Sequence, residues 1–184
     1  MVNNTIDVAR LEAGRFEVQT EDVDLVDVLN AVFAVAEPLA IKQGIELAKA
    51  VDPDIPVMRS DWEALRKIIL NLVSNALKFT EPGGSVSVSA RLIDGGSAVA
   101  IDVADTGIGI APQDFESVFD KFSQATTQGA ASSGGSGLGL FLVRSLAEKL
   151  GGSVRIASVV GEGSVFSVVV PVVSVETSET DELS

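Results

Sequence analysis

The sequence predicts one α/β domain, and three observations carry that reading. A chain of 184 residues with 46% hydrophobic residues is long enough to bury one good core. A strong helical period runs through "DWEALRKIILNLVSNALKFT", and strand-like alternating runs separated by glycine turns stand on either side of it. Helices and strands therefore interleave along a single chain.

Residues 1–23 read as an end piece. "NNTIDVARLEA" carries a short helical apolar pattern, Ile6, Ala9 and Ala13, stopped by Gly14, and "RFEVQTED" is an extended connector. The domain proper is expected over 24–172. Asp24 can cap a helix reaching Gln43, with Leu25, Val28, Leu29, Val32, Val35 and Ala36 on its core side and Gly44 as its stop. Pro38 inside that helix predicts a kink. "IELAKAV" reads as a strand, and Ser60 with Glu63 as a capping box for the best helix of the chain. Leu65, Ile68, Ile69, Leu72, Val73 and Ala76 give that helix one core face.

Two strands follow, Val86, Val88, Ala90 and then Ala98, Ala100, with turns at "EPGGS" and "DGGS". "APQDFESVFDKF" is expected to form a short helix with Phe115, Phe119 and Phe122 in the core. The uncharged run "SQATTQGAASSGGS" predicts a mobile loop. It leads into a helix whose first turn is built on Gly137 and Gly139 and whose end is marked by Gly151 and Gly152. A hairpin turning on "GEG" closes the domain, and 173–184 is an acidic tail expected to be disordered.

Composition excludes several functions. A net charge of −13 repels nucleic acid and anionic membrane surfaces, so bound phosphate must be held locally. With no cysteine there is no disulfide or thiolate chemistry, and with no histidine there is no imidazole base, no common zinc set and no phosphohistidine on this chain. No apolar run approaches the ~18 to 20 residues of a membrane span, and the start is no signal peptide. The expectation is a cytoplasmic module without membrane contact of its own, whose parent can still be membrane-anchored.

Three features carry chemistry. On the long helix, Asn71, Asn75 and Lys78 form one polar stripe within about 60° of arc, which is either a solvated face or a ligand face. After the apolar run "SAVAIDVA" comes "DTGIGI", either a tight corner or an acid placed at a site. The glycine-rich run before "GLGLF" opens a helix, an arrangement whose free N–H groups and dipole hold phosphate.

Together and in this order the segments resemble the catalytic and ATP-binding domain of sensor histidine kinases, within the GHKL group that includes gyrase and MutL ATPases. "NLVSNALKFT" is similar to the N box, "DTGIGI" to the first glycine box, "FDKFSQ" to the F box and "GGSGLGL" to the second glycine box. "DVARLEAGRFEV" is similar to the end of a truncated dimerisation helix with its linker. The resemblance implies a Bergerat-type two-layer α/β sandwich, with a mixed, largely antiparallel sheet and a flexible ATP lid. It implies ATP and Mg²⁺ as cofactors, with Asn75 as the metal ligand and Asn71 and Lys78 as the catalytic pair. Nucleotide contacts fall on Asn75, Lys78, Phe79, Asp105, Gly107, Ile108, Gly109 and Ile110. Further along they fall on Phe119, Lys121, Phe122, Gly135, Ser136, Gly137, Leu138, Gly139 and Leu140. Asp105 would accept from the adenine amine, and Gly107 and Gly109 would let the chain pass close to the nucleotide.

Asn71 sets the expected reaction. Relatives that hydrolyse ATP or phosphorylate serine have a glutamate there, whereas an amide takes up no proton and suits transfer to an imidazole. The acceptor histidine would lie on a dimerisation domain absent from this chain, and a response regulator receiver domain would take the phosphoryl group next. The fragment is expected to be a monomer and its parent a homodimer. The lid run "TTQGAASSGGSG" lacks the lysine or arginine usual ahead of its glycines, leaving Lys78, Lys121 and Arg144 as nearby cations. Two alternatives follow, a nucleotide-binding regulatory module without transfer activity and a GHKL ATPase.

Overall fold

The computed structural model describes residues 4–123 and 136–173. Helix α1 (Asn4–Glu12) is followed by β1 (Glu21–Val23), α2 (Leu25–Gln43), β2 (Glu46–Val51), β3 (Met58–Ser60), α3 (Trp62–Phe79), β4 (Ser85–Ile93) and β5 (Ala98–Asp105). After two 3₁₀ turns come α4 (Gly139–Lys149), β6 (Ser153–Val159) and β7 (Gly163–Pro171). Five strands form a mixed sheet in the order β2-β4-β5-β7-β6, in which only the β2–β4 pair is parallel. Helices α2, α3 and α4 make the second layer, with α3 packed between the other two and against β4 and β5. This is the two-layer sandwich expected.

Strand alternation explains the layering. Val86, Val88 and Ala90 of β4, Val99, Ile101 and Val103 of β5, and Phe166, Val168 and Val170 of β7 are in register and buried. They meet Leu65, Ile68, Ile69, Leu72, Val73 and Ala76 of α3, all buried as the helical period predicts. Burying such side chains contributes roughly 1.5 to 3 kcal/mol each. Asp24 caps α2 by accepting from the Val26 N–H, and Gly44 ends it in the left-handed region, as expected. Helix α2 runs through Pro38 as one element.

Several expectations need correction. The cap of α3 is Asp61, whose carboxylate accepts from the Ala64 N–H at 2.8 Å, and not Ser60. Ser60 is committed to β3, opposite Glu21, and Glu63 turns to Arg66 at 2.6 Å. Strands β1 and β3 were not anticipated, because three residues each leave no period to read. In α2 Val35 is exposed while Phe33 and Ala40 are buried. In α1 the packed residues are Asp7 and Val8, not the Ile6, Ala9 and Ala13 stripe. The phenylalanine segment forms two short 3₁₀ turns, Pro112–Asp114 and Ser117–Phe119, instead of one helix. Only Phe119 of its three phenylalanines is buried, and Phe122 is 73% exposed. Most of the glycine-rich lid loop and the acidic tail lie outside the described residues.

Candidate functional site

A cavity of about 260 Å³ opens between α3, the segment after β5, the start of α4 and the inner face of β7. One wall follows from helical geometry alone. Asn71, Asn75 and Lys78 share an azimuth on α3, and all three line the cavity with Ser74 and Phe79. The stripe is therefore a cavity wall, with Lys78 at its exposed end.

The floor is polar and half-buried. Asp105 ends β5 between Val86 of β4 and Ser164 of β7, and its Oδ1 accepts from the Gly107 N–H at 2.8 Å. Burial raises the pKa of its carboxyl above the ordinary value of 3.8, against the opposing pull of hydrogen bonds from the Gly107 and Ser164 backbone. An ionised acceptor at the bottom of a cavity is a recognition element for a donor.

The glycines beside it serve the protein first. A Cβ on Gly107 would lie 2.3 Å from the Phe79 carbonyl oxygen, and the neighbouring Ile108 N–H donates to that carbonyl at 3.2 Å. Gly109 has φ of 69°, and a Cβ there would stand 2.1 Å from the carbonyl oxygen of Val159. The segment is thus clamped between the end of α3 and the β6–β7 hairpin, with Ile110 N–H donating to Ser158 Oγ at 2.7 Å. Gly109, Ile108 and Ile110 line the cavity; Gly107 does not. The close approach that Gly107 makes here is to the Phe79 backbone.

At the opposite end, Asn71 donates from Nδ2 to the Lys67 carbonyl at 2.8 Å and accepts at Oδ1 from Asn4 Nδ2, also at 2.8 Å. Lys78 is largely exposed, lies 5.0 Å from the Phe79 ring centroid, and has its pKa lowered by partial burial. It is the one lysine or arginine lining the cavity among the described residues. Helix α4 begins at Gly139 with no side-chain cap from Leu138, so the N–H groups of its first turn, which have no partner within the helix, fall where Ser136, Gly137, Gly139 and Leu140 meet the cavity.

Other expected contacts lie elsewhere. Lys121 is paired with Glu12 of α1 and sits 5.0 Å from the Phe141 ring centroid. Arg144 reaches Asp120 at 3.6 Å. Phe122, with φ of 58°, points to solvent, and Leu138 is core. Phe119 stands behind the wall, packed edge-on against Phe166 with ring centroids 6.2 Å apart. Gly135 lies outside the described residues. Conversely, Asn4, Ser74, Val118, Ser123, Ser164 and Phe166 line the cavity and were not anticipated. Ser164 and Phe166 could have been found as inward positions of a strand starting beside "GEG".

The donor set suits Mg²⁺ poorly as a protein-only cage, since no cluster of three or more acidic, histidine or cysteine side chains exists among the described residues. It suits Mg²⁺ held mainly by a phosphate ligand, because the Asn75 carboxamide lies in the cavity and magnesium commonly takes one or two protein oxygens with its waters and phosphates. No helix among the described residues is long and apolar enough to cross a membrane.

Comparison with known proteins agrees with this architecture. The family model described as histidine kinase-, DNA gyrase B-, and HSP90-like ATPase matches residues 60–174. The chain is 38% identical over 181 residues to the autoinducer 2 sensor kinase/phosphatase LuxQ of Vibrio cholerae, covering 96% of this chain and 21% of that protein. It is 40% identical over 174 residues to the histidine protein kinase DivJ of Caulobacter vibrioides, covering 94% and 28% respectively. Among solved structures, full-length ShkA in complex with AMPPNP superposes with a TM-score of 0.83 at 37% identity, over 95% of this chain and 35% of that one. The chain thus spans about a fifth to a third of the length of these relatives. With that family model matching well over half of its length, the chain belongs to the histidine kinase-, DNA gyrase B- and HSP90-like ATPase family.

Proposed function

We propose that this chain is the catalytic, ATP-binding part of a histidine kinase, with the nucleotide domain over 24–172. The observation that carries the reading is the polarity of one cavity, an acidic acceptor at its floor and an uncapped helix start at its other end. Adenine fits the floor because its amine donates to Asp105, whereas guanine would bring a carbonyl there. The triphosphate then extends along the Asn71, Asn75 and Lys78 stripe toward the N–H groups at Gly139, which the helix dipole makes favourable for anions.

Mg²⁺ bound to the triphosphate would take the Asn75 oxygen and supply charge neutralisation. Lys78 adds a positive charge, and Asn71, about two turns away on the same face of α3, is held by Lys67 and Asn4 in one orientation. In transfer, a lone pair of an acceptor imidazole attacks the γ-phosphorus, the bond to the β-phosphate oxygen breaks and ADP leaves. Such a step needs positioning and charge stabilisation more than covalent help. The imidazole comes from a histidine-bearing dimerisation domain, because this chain has no histidine, and a receiver domain accepts the phosphoryl group afterwards.

A second reading, a nucleotide-binding module without transfer, is favoured by one fact: Lys78 is the single cation at the described cavity wall. Labelled γ-phosphate from Mg–ATP, offered with a separately supplied dimerisation domain, distinguishes the two. An acid-labile, base-stable product on that domain supports the kinase. ATP binding without label transfer favours the module, and steady hydrolysis without acceptor favours an ATPase.

A further inference from the structure

Ser158 sits on the inward face of β6, opposite Ser164 of β7, and its hydroxyl has three partners. It accepts from the Ile110 N–H at 2.7 Å, reaches the Gly163 carbonyl at 2.8 Å and lies 2.9 Å from Ser164 Oγ. A hydroxyl has one proton and two lone pairs. If that proton turned to Ser164, the Gly163 carbonyl would face a bare lone pair at 2.8 Å. One assignment satisfies every contact: Ser158 donates to Gly163, and Ser164 donates to Ser158. The proton of Ser164 is thereby spent outside the cavity.

Ser164 lines the cavity, is itself buried and pairs directly across the strands with Asp105. With its proton committed, its oxygen offers the cavity lone pairs only. Asp105 is an acceptor as well. The floor therefore presents two adjacent acceptors, and the second is made so by a residue outside the cavity wall.

We propose that Ser158 is a specificity-determining positioning residue, which fixes the hydroxyl polarity of Ser164 so that the floor takes a purine edge that donates and rejects one that presents a carbonyl. This rests on the reading that adenine occupies the floor. Without the Ser158 oxygen, the Ser164 proton is free to turn into the cavity and meet the 6-carbonyl of guanine or hypoxanthine. Ser158 also holds Ile110, so its loss lowers absolute affinity for every nucleotide; the ratio between nucleotides is the quantity that reports polarity.

The test is calorimetric affinity of the whole chain for ATP, GTP and inosine triphosphate. S158A is expected to reduce the preference for ATP over each 6-carbonyl nucleotide about 3- to 10-fold, the worth of one neutral hydrogen bond. S158T keeps a hydroxyl and keeps the preference. On an S164A background, S158A leaves the ratio unchanged, because no proton remains to be re-aimed. S158C, a weaker donor, gives a smaller shift in the same direction and serves if S158A melts below the assay temperature. An unchanged ratio in S158A or S158C, or an equal fall on the S164A background, overturns the inference while leaving ATP binding intact. A wild-type chain that binds none of the three overturns the inference and the proposed function together.

Discussion

At the floor of the cavity Asp105 accepts from Gly107 N–H, Ile110 N–H is held by Ser158, and Gly109 leaves no room for a Cβ against Val159. At the other end α4 starts without a side-chain cap and Lys78 lies largely in solvent. One end is wired to the sheet before any ligand arrives, and the other presents the N–H groups of a helix start. A preorganised floor spends its binding energy on choosing a base, because a wrong edge leaves buried polar groups unpaired. Donors at a helix start choose little but charge.

The largest break in this comparison should come from Asp105→Asn. Replacing an ionised acceptor with an amide costs about 1.5 to 3 kcal/mol, so ATP and adenosine should both bind roughly 10- to 150-fold more weakly in titration calorimetry. Equal affinity of wild type and variant for ATP would remove Asp105 from the base site. Next in size is Asn75→Ala at the phosphate end. Its loss should be about tenfold for ATP with magnesium and far smaller in chelator, while adenosine affinity stays unchanged. A loss of the same size with and without magnesium would take the metal role from Asn75.

Lys78→Gln sharpens the contrast with a smaller effect. An exposed ammonium beside phosphate is screened by solvent and salt, so a loss of up to about fivefold for ATP is expected, shrinking as ionic strength rises. Adenosine should not notice the change. A salt-independent loss shared by adenosine would mean that Lys78 acts by packing on Phe79 and not by charge.

The two ends were also unequally legible in the sequence. Asn71, Asn75 and Lys78 could be placed on one face because a helix of known period fixes relative azimuth, whereas the end of an apolar strand left Asp105 open between a corner and a site until the resemblance assigned it. Alternation alone marks Ser164 and Phe166 as inward positions of β7, but their place beside Asp105 depends on strand register between β5 and β7, which no local pattern encodes. The surroundings of Lys121 and Phe122 were not legible for a different reason. The chain turns through a positive φ at Phe122 that throws its ring outward, and Lys121 finds Glu12 on α1, a contact between distant segments. The sequence pattern reads Ser60 as the cap of α3, and the pairing of that residue into β3 leaves the role to Asp61.

The smallest expected effect concerns pH, and it separates recognition from stability at one carboxyl. Burial raises the Asp105 pKa in the free protein, and an amine donor favours the ionised form, so the complex has the lower value. Adenosine affinity should therefore rise as pH climbs through the free-protein value and level off above it; adenosine is the better probe because it carries no phosphate of its own to titrate. Stability should move the other way. The folded chain holds this proton more tightly than the unfolded chain, so the contribution of Asp105 is fully present below the ordinary carboxylate value and is lost as pH rises through the raised one. Asp105→Asn should flatten the binding profile and remove that part of the stability slope. A binding profile that stays equally steep in the variant would assign the titration to another group, and the floor would no longer owe its selectivity to a buried charge.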